Sequence, residues 1–213
     1  MRNIPMFVTD NGAASLTLEQ IPYSGVAYVQ LLDASDPEAM LRECRDFCRA
    51  AGAESVYACG HPVVADYPFY ASVLLYSGNL IHLPATQYTA QPVTEEDLEQ
   101  WRQIYNERMT DVACAAHMTM GMAQRYCREG TGYMVRDTAG KLCGIGTVVQ
   151  DQIGAVISLY PGTGDAVLCA LCKKASSDQI TLEVSSANER AIRLYLRLGF
   201  SCIRTLSSYY KIF

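Results

Sequence analysis

The chain reads as a mixed α/β (α+β) protein, and three observations carry that reading. Strand-like and helix-like periodicities alternate along most of the 213 residues. Several helical stretches are bounded by capping residues, prolines and glycines that start or stop helices. A hairpin with the turn D-T-A-G sits in the second half. Half the residues are hydrophobic and 18% are charged, an ordinary balance for a globular core. The length suits one large domain or two small ones.

In order, Ser15 to Glu19 (SLTLE) alternates apolar and polar residues as a strand does. Pro22 to Gly25 is a turn, and Val26 to Leu32 (VAYVQLL) is a second, more buried strand. A helix then starts at Asp36, whose carboxylate can cap it, with Pro37 in the first turn and Glu38 at its positive end. Met40, Leu41, Cys44, Phe47 and Cys48 fall on one helical face, and Gly52 stands where a glycine ends a helix. Ser55 to Cys59 is a third strand. Pro62 and Pro68 interrupt the next stretch, Tyr67 to Tyr76 reads as a short helix followed by a strand, and Gly78 to Pro84 closes the first half.

After a strand near Gln87–Gln91, the sequence T-E-E-D from Thr94 opens a helix whose stripe is Leu98, Trp101, Ile104 and Tyr105. A second helix spans about Ala113 to Arg128, where Met118, Met122 and Tyr126 form a stripe facing the core or a ligand. Gly132–Arg136 and Lys141–Val149 form the hairpin, and Gly144 and Gly146 predict a bulge or a close backbone approach there. Ala155–Tyr160 is an apolar strand, followed by P-G-T-G-D and a helix to about Ala175. Gln179–Val184 is a strand, Asn188–Leu198 a helix stopped by Gly199, and Ser201–Phe213 a strand-rich end.

The most specific passage is Ile180 to Phe200, ITLEVSSANERAIRLYLRLGF. A strand ending L-x-V is followed by N-x-x-A-x-x-L-Y-x-x-x-G-F, with Asn188, Ala191, Leu194, Tyr195, Gly199 and Phe200 in place. This passage, with the element order of the second half, resembles the GNAT superfamily of acetyl-CoA-dependent N-acetyltransferases. The resemblance implies a GNAT-type mixed, mostly antiparallel central sheet flanked by helices for residues 86–213. It also implies acetyl-CoA as cosubstrate, a primary amine as acceptor, and direct transfer within a ternary complex. Tyr195 would then be the general acid that meets the departing thiolate, since a phenol with an ordinary pKa near ~10 is protonated at neutral pH. Residues 1–85 carry a strand–helix–strand run that parallels the second half. They read as a partial, degenerate GNAT-like domain, with an unrelated α+β cap as the other reading.

The family's phosphate loop corresponds here to Leu159–Leu171, LYPGTGDAVLCAL. Leu159, Tyr160, Gly162, Thr163, Gly164, Asp165 and Ala166, together with Asn188, are the implied cofactor contacts. Backbone amides at a helix start bind phosphate through the helix dipole. This loop is short, lacks the family's leading Gln or Arg, and carries Asp165 where phosphate would dock. Either Asp165 turns outward and the loop binds acetyl-CoA, or the helix caps itself and the site is degraded. Glu183, His117 and Glu107 are the candidate general bases. Two functions therefore stand side by side: an N-acetyltransferase, and a catalytically inactive GNAT-fold binding or regulatory protein.

Composition narrows the partners. A net charge of −5 and no Lys/Arg run argue against nucleic acid. The N-terminus, MRNIPMFVTDNG, has no apolar leader region, and no stretch reaches the ~20 apolar residues of a membrane span. A cytoplasmic protein is expected, with a homodimer as a candidate assembly. The nine cysteines, an odd number in a chain this long, read as small buried hydrophobes in a reducing compartment; neither disulfides nor a metal site is expected.

Overall fold

The computed structural model describes residues 6–213, so the first five residues of the stretch read above for a leader lie outside it. The chain divides into two compact units: residues up to Val73 together with Thr205–Phe213, and Leu74–Arg204. This division differs from the boundary at 85/86 drawn on sequence punctuation. Residues 74–85 belong to the second unit and the C-terminal end of the chain to the first.

In the first unit, β1 (Met6–Thr9) and β2 (Gly12–Thr17) form a hairpin, and β2 pairs antiparallel with β3 (Val26–Ala34). A single helical turn, α1 (Ile21–Ser24), fills the predicted Pro22–Gly25 turn. α2 (Pro37–Ala50) then returns the chain to β4 (Ser55–Cys59), which lies parallel to β3. The predicted β-α-β run is thus present. Asp36 caps α2 as its position predicts, its carboxylate accepting from the Ala39 N–H at 2.9 Å. Met40, Leu41, Cys44 and Cys48 are fully buried against Ala27, Val29, Val56 and Ala58. Phe47 is the exception on that stripe. It is 43% exposed and packs its ring on Phe7 of β1 at 5.0 Å, a strand with too little alternation to stand out in sequence. A 3₁₀ turn (Pro62–Asp66) precedes β5 (Phe69–Asn79).

The second unit is a mixed sheet that runs β6 (Thr89–Pro92), β7 (Gly132–Arg136), β8 (Leu142–Val149), β9 (Gln152–Ser158), β10 (Gln179–Ser185), with Leu74–Asn79 of β5 beside β10. The pairs from β6 to β9 are antiparallel, and β9 with β10 is parallel. Alternation along each strand feeds two cores. Met134, Ile145 and Ile157 pack with Trp101 and Met118 beneath α3 (Leu98–Met109) and α4 (Met120–Arg128). Val135, Val148, Ile153, Ile180 and Leu182 pack beneath α5 (Gly164–Cys172) and α6 (Glu189–Arg197). The methionine stripe is core: Met118 is 1% exposed, and Met122 and Tyr126 pack against the same cluster.

Two helix starts are later than their sequence signals. Thr94 bonds the Asp97 carboxylate through both its N–H (3.1 Å) and its hydroxyl (2.7 Å), and α3 begins only at Leu98. α4 begins at Met120, with Thr119 as cap, because the Asn106 side chain holds both the N–H (2.8 Å) and the C=O (3.1 Å) of Met118. Finally β11 (Ser201–Lys211) ends the chain, its last residues antiparallel to β4 in the first unit. Among the described residues no helix is long and apolar enough to cross a membrane.

Candidate functional site

The parallel pairing of β9 and β10 is brief. Only Gln152 with Thr181 and Ile153 with Leu182 are in register, although β9 continues to Ser158 and β10 to Ser185. Beyond that point the strands part and a cleft of about 640 Å³ opens in the second unit. Val156 to Ser158 form part of its wall; α6 and its cap supply Asn188, Ala191 and Tyr195; the loop before α5 supplies Gly162, and α5 supplies its first residue, Gly164. β9 has β8 on one edge throughout, so its other edge, from Gly154 onward, is free of β10. A backbone edge of this kind can hydrogen-bond an extended ligand.

The loop folds as a tight turn. Gly162 has φ +81°, a left-handed conformation that favours glycine. The Thr163 hydroxyl donates to the Tyr160 carbonyl at 2.8 Å and leaves α5 without a side-chain cap. The first bond of α5 runs from the Val167 N–H to the Thr163 carbonyl at 3.0 Å, so the amides of Gly164, Asp165 and Ala166 precede the helical ladder. Asp165 does not cap them. Its carboxylate pairs with Arg197 of α6 through both oxygens, Nη2 to Oδ1 and Nε to Oδ2. The self-capped alternative for this helix is therefore not what the chain adopts: Arg197 draws the carboxylate sideways and neutralises it.

Tyr195 lines the cleft yet is only 6% exposed, its ring 6.1 Å from that of Phe200 and 6.3 Å from that of Tyr76. Burial, and then the neighbouring Cys172 thiol, push its phenol up to about 12. Asn188 caps α6 through Oδ1, which accepts from the Ala191 N–H at 3.1 Å, while its side chain also borders the cleft. Thus Gly162, Gly164, Asp165, Asn188 and Tyr195 come together.

The other expected contacts flank the cleft. The Leu159 carbonyl accepts from Arg108 Nη2 at 3.4 Å, and the Tyr160 ring lies under the Lys141 ammonium at 3.8 Å. Thr163 is turned to its own loop, and the Ala166 carbonyl accepts from Thr86 at 3.5 Å. Glu183 is not brought to the cleft. Strand alternation buries Leu182 and Val184 and turns Glu183 to solvent, where it accepts from Gln152 at 2.8 Å. His117 contacts the Asn106 side chain at 3.3 Å, and burial lowers its pKa; neither it nor exposed Glu107 lines the cleft.

Four guanidinium side chains, Arg108, Arg190, Arg193 and Arg197, border the cleft against one carboxylate, Asp165, in a chain of net charge −5. The three on α6 were readable as an i, i+3, i+7 face in E-R-A-I-R-L-Y-L-R. Arg108, about fifty residues before the loop, had no such signal. The C-x-x-C pair of Cys169 and Cys172 on α5 is buried and reduced, and burial pushes both thiols up, Cys172 to about 12. Among the described residues no cluster of His, Cys, Asp and Glu could hold a metal ion.

No protein-family model and no curated protein matches the chain. Solved structures do. The GCN5-related N-acetyltransferase from Sphaerobacter thermophilus is 13% identical with a TM-score of 0.60, over 93% of this chain and 75% of that one. A GNAT-family acetyltransferase from Colwellia psychrerythraea is 14% identical with a TM-score of 0.55, over 97% and 84%. A tandem GNAT protein from the clavulanic acid biosynthesis pathway is 13% identical with a TM-score of 0.53, over 94% and 78%. At such identities the likeness shows the fold, which is of GNAT type.

Proposed function

We propose that the chain is an acetyl-CoA-dependent N-acetyltransferase that acts on a primary amine by direct transfer within a ternary complex. The observation that carries this reading is the cleft where β9 and β10 part, bounded by an uncapped α5 start, an arginine-rich wall and Tyr195. Its volume lies in the ~300–1,000 Å³ range usual for small-molecule sites. The residues present suit acetyl-CoA, which brings a reactive thioester on a flexible stem with phosphates at the far end. Free first-turn amides and guanidinium groups favour the phosphates. The free edge of β9 suits the amide-bearing stem.

Tyr195 borders the cleft, and its raised pKa supports a phenol that stays protonated. Its hydroxyl donates a hydrogen bond to the sulfur as the carbon–sulfur bond breaks, and so stabilises the thiolate. Among the described residues the one carboxylate bordering the cleft is held by Arg197. The acceptor therefore reacts as the neutral amine, and its proton leaves to water. Glu183 has no part in this scheme.

The test is thermal denaturation and calorimetry with acetyl-CoA, followed by release of free thiol in the presence of a panel of amines. A ligand at 100 times its Kd stabilises the native state by ~2.7 kcal/mol, worth roughly 5–10 °C for a chain of this size. Stabilisation with thiol release is the expected result. No shift at saturating acetyl-CoA overturns the proposal. Stabilisation without turnover on any amine returns the chain to the binding-protein reading.

A further inference from the structure

We infer that Arg108 is a donor-binding residue, a guanidinium supplied from α3 that replaces the cation missing from the phosphate loop. The inference rests on the acetyl-CoA reading above. The loop from Leu159 to Asp165 (LYPGTGD) has no basic side chain of its own. Arg108, near the C-terminal end of α3, reaches its first residue, with Nη2 donating to the Leu159 carbonyl at 3.4 Å. It borders the same cleft as Gly162 and Gly164.

The other arginines of the cleft are committed to different degrees. Arg197 is paired with Asp165, and Arg193 with Glu189 at 2.9 Å. Arg108 and Arg190 form no ion pair with a carboxylate among the described residues. A guanidinium carries five N–H donors in a planar fork, and the long bond to Leu159 uses one. The rest of the fork remains to grip a phosphate in two-point fashion, a geometry that a lysine or a lone backbone amide does not reproduce. One side chain then touches both the loop backbone and the ligand, so it fixes the loop as it binds the charge. The short loop is thereby a site whose cation comes from another element.

The test compares wild type, Arg108→Gln and Arg108→Lys by calorimetry with acetyl-CoA and with S-acetylpantetheine, which lacks phosphates, at low and high salt. Arg108→Gln keeps a polar side chain on the same stem, loses the charge and ends short of the Nη2 that reaches Leu159. It is expected to weaken acetyl-CoA by roughly ten- to a hundredfold and to reduce the salt dependence of binding. S-acetylpantetheine affinity and the melting temperature of the free protein should stay at wild-type values, and Arg108→Lys should recover part of the loss. Unchanged acetyl-CoA affinity in Arg108→Gln overturns the inference and leaves the acetyltransferase reading intact. A raised KM for the amine alone does the same, and moves Arg108 to the acceptor side. Equal losses for acetyl-CoA and S-acetylpantetheine also overturn it, since phosphate would then not be what Arg108 reads. If wild type binds no acetyl-CoA, both readings fall together.

Discussion

At the scale of single residues, Tyr195 shows how burial shapes a reagent. Its phenol is pushed up to about 12, first by desolvation and then by Cys172, whereas an ordinary thiol ionises near ~8.5. Outright proton transfer to a thiolate is therefore uphill, and the group works as a hydrogen-bond donor that stays protonated. Tyr195→Phe keeps the ring packing against Phe200 and removes the donor. The expected outcome is a fall in kcat of about 10²-fold, with the KM for acetyl-CoA within twofold of wild type. Because the raised pKa lies above the working range, the wild-type rate should show no alkaline limb from Tyr195 below about pH 11. The acid limb should follow the pKa of whichever amine is used. A Tyr195→Phe enzyme with intact kcat, or an acid limb that ignores the amine, would reduce Tyr195 to packing or call for a protein base.

At the scale of elements, α5 lies directly on β8. A Cβ at Gly146 would sit 2.3 Å from Leu171 Cδ1 and 2.6 Å from the Ala155 carbonyl oxygen, and one at Gly144 would meet the Ile157 oxygen at 2.5 Å. Both glycines permit the close approach predicted for them, and the helix rests on bare backbone. Gly146→Ala should thus destabilise the fold by about 1–3 kcal/mol, as overpacking does. The measurement is a lower urea midpoint with an unchanged m-value; a midpoint equal to wild type would show that α5 does not press on β8. The elements legible in sequence were those with local determinants: the Asp36–Pro37 start of α2, the β7–β8 hairpin, and the Asn188 cap and Gly199 stop of α6. What escaped depends on contacts distant in sequence. The delayed start of α4 follows from Asn106 gripping Met118, and Cys114 takes a positive φ of 64° in the intervening stretch, where no glycine marks the turn. Asp165 could be placed only once Arg197 was known to face it, and Glu183 left the site because strand parity turned it outward.

At the scale of the whole molecule, two strand–helix–strand runs of the same plan differ in strand pairing and in how the helix start is filled. In β3–α2–β4 the parallel pairing holds through five residues, from Val26 with Ser55 to Gln30 with Cys59, and no gap opens between the strands. The start of α2 is already spent: Asp36 caps the Ala39 amide at 2.9 Å, and the Asn11 carbonyl accepts from the amides of Ser35 (2.9 Å) and Asp36 (3.3 Å). An anion would have to displace a carboxylate there, against its charge. In β9–α5–β10 the pairing stops after two residues, the helix start is uncapped, and guanidinium groups stand nearby. The two runs thus share a strand–helix–strand plan and differ at the helix start, which is capped in the first and uncapped in the second. Calorimetric titration should saturate at one acetyl-CoA per chain. The Gln variant at Arg108 should weaken that single site without exposing a second, and a stoichiometry near two would show that the first unit binds as well, despite its filled helix start.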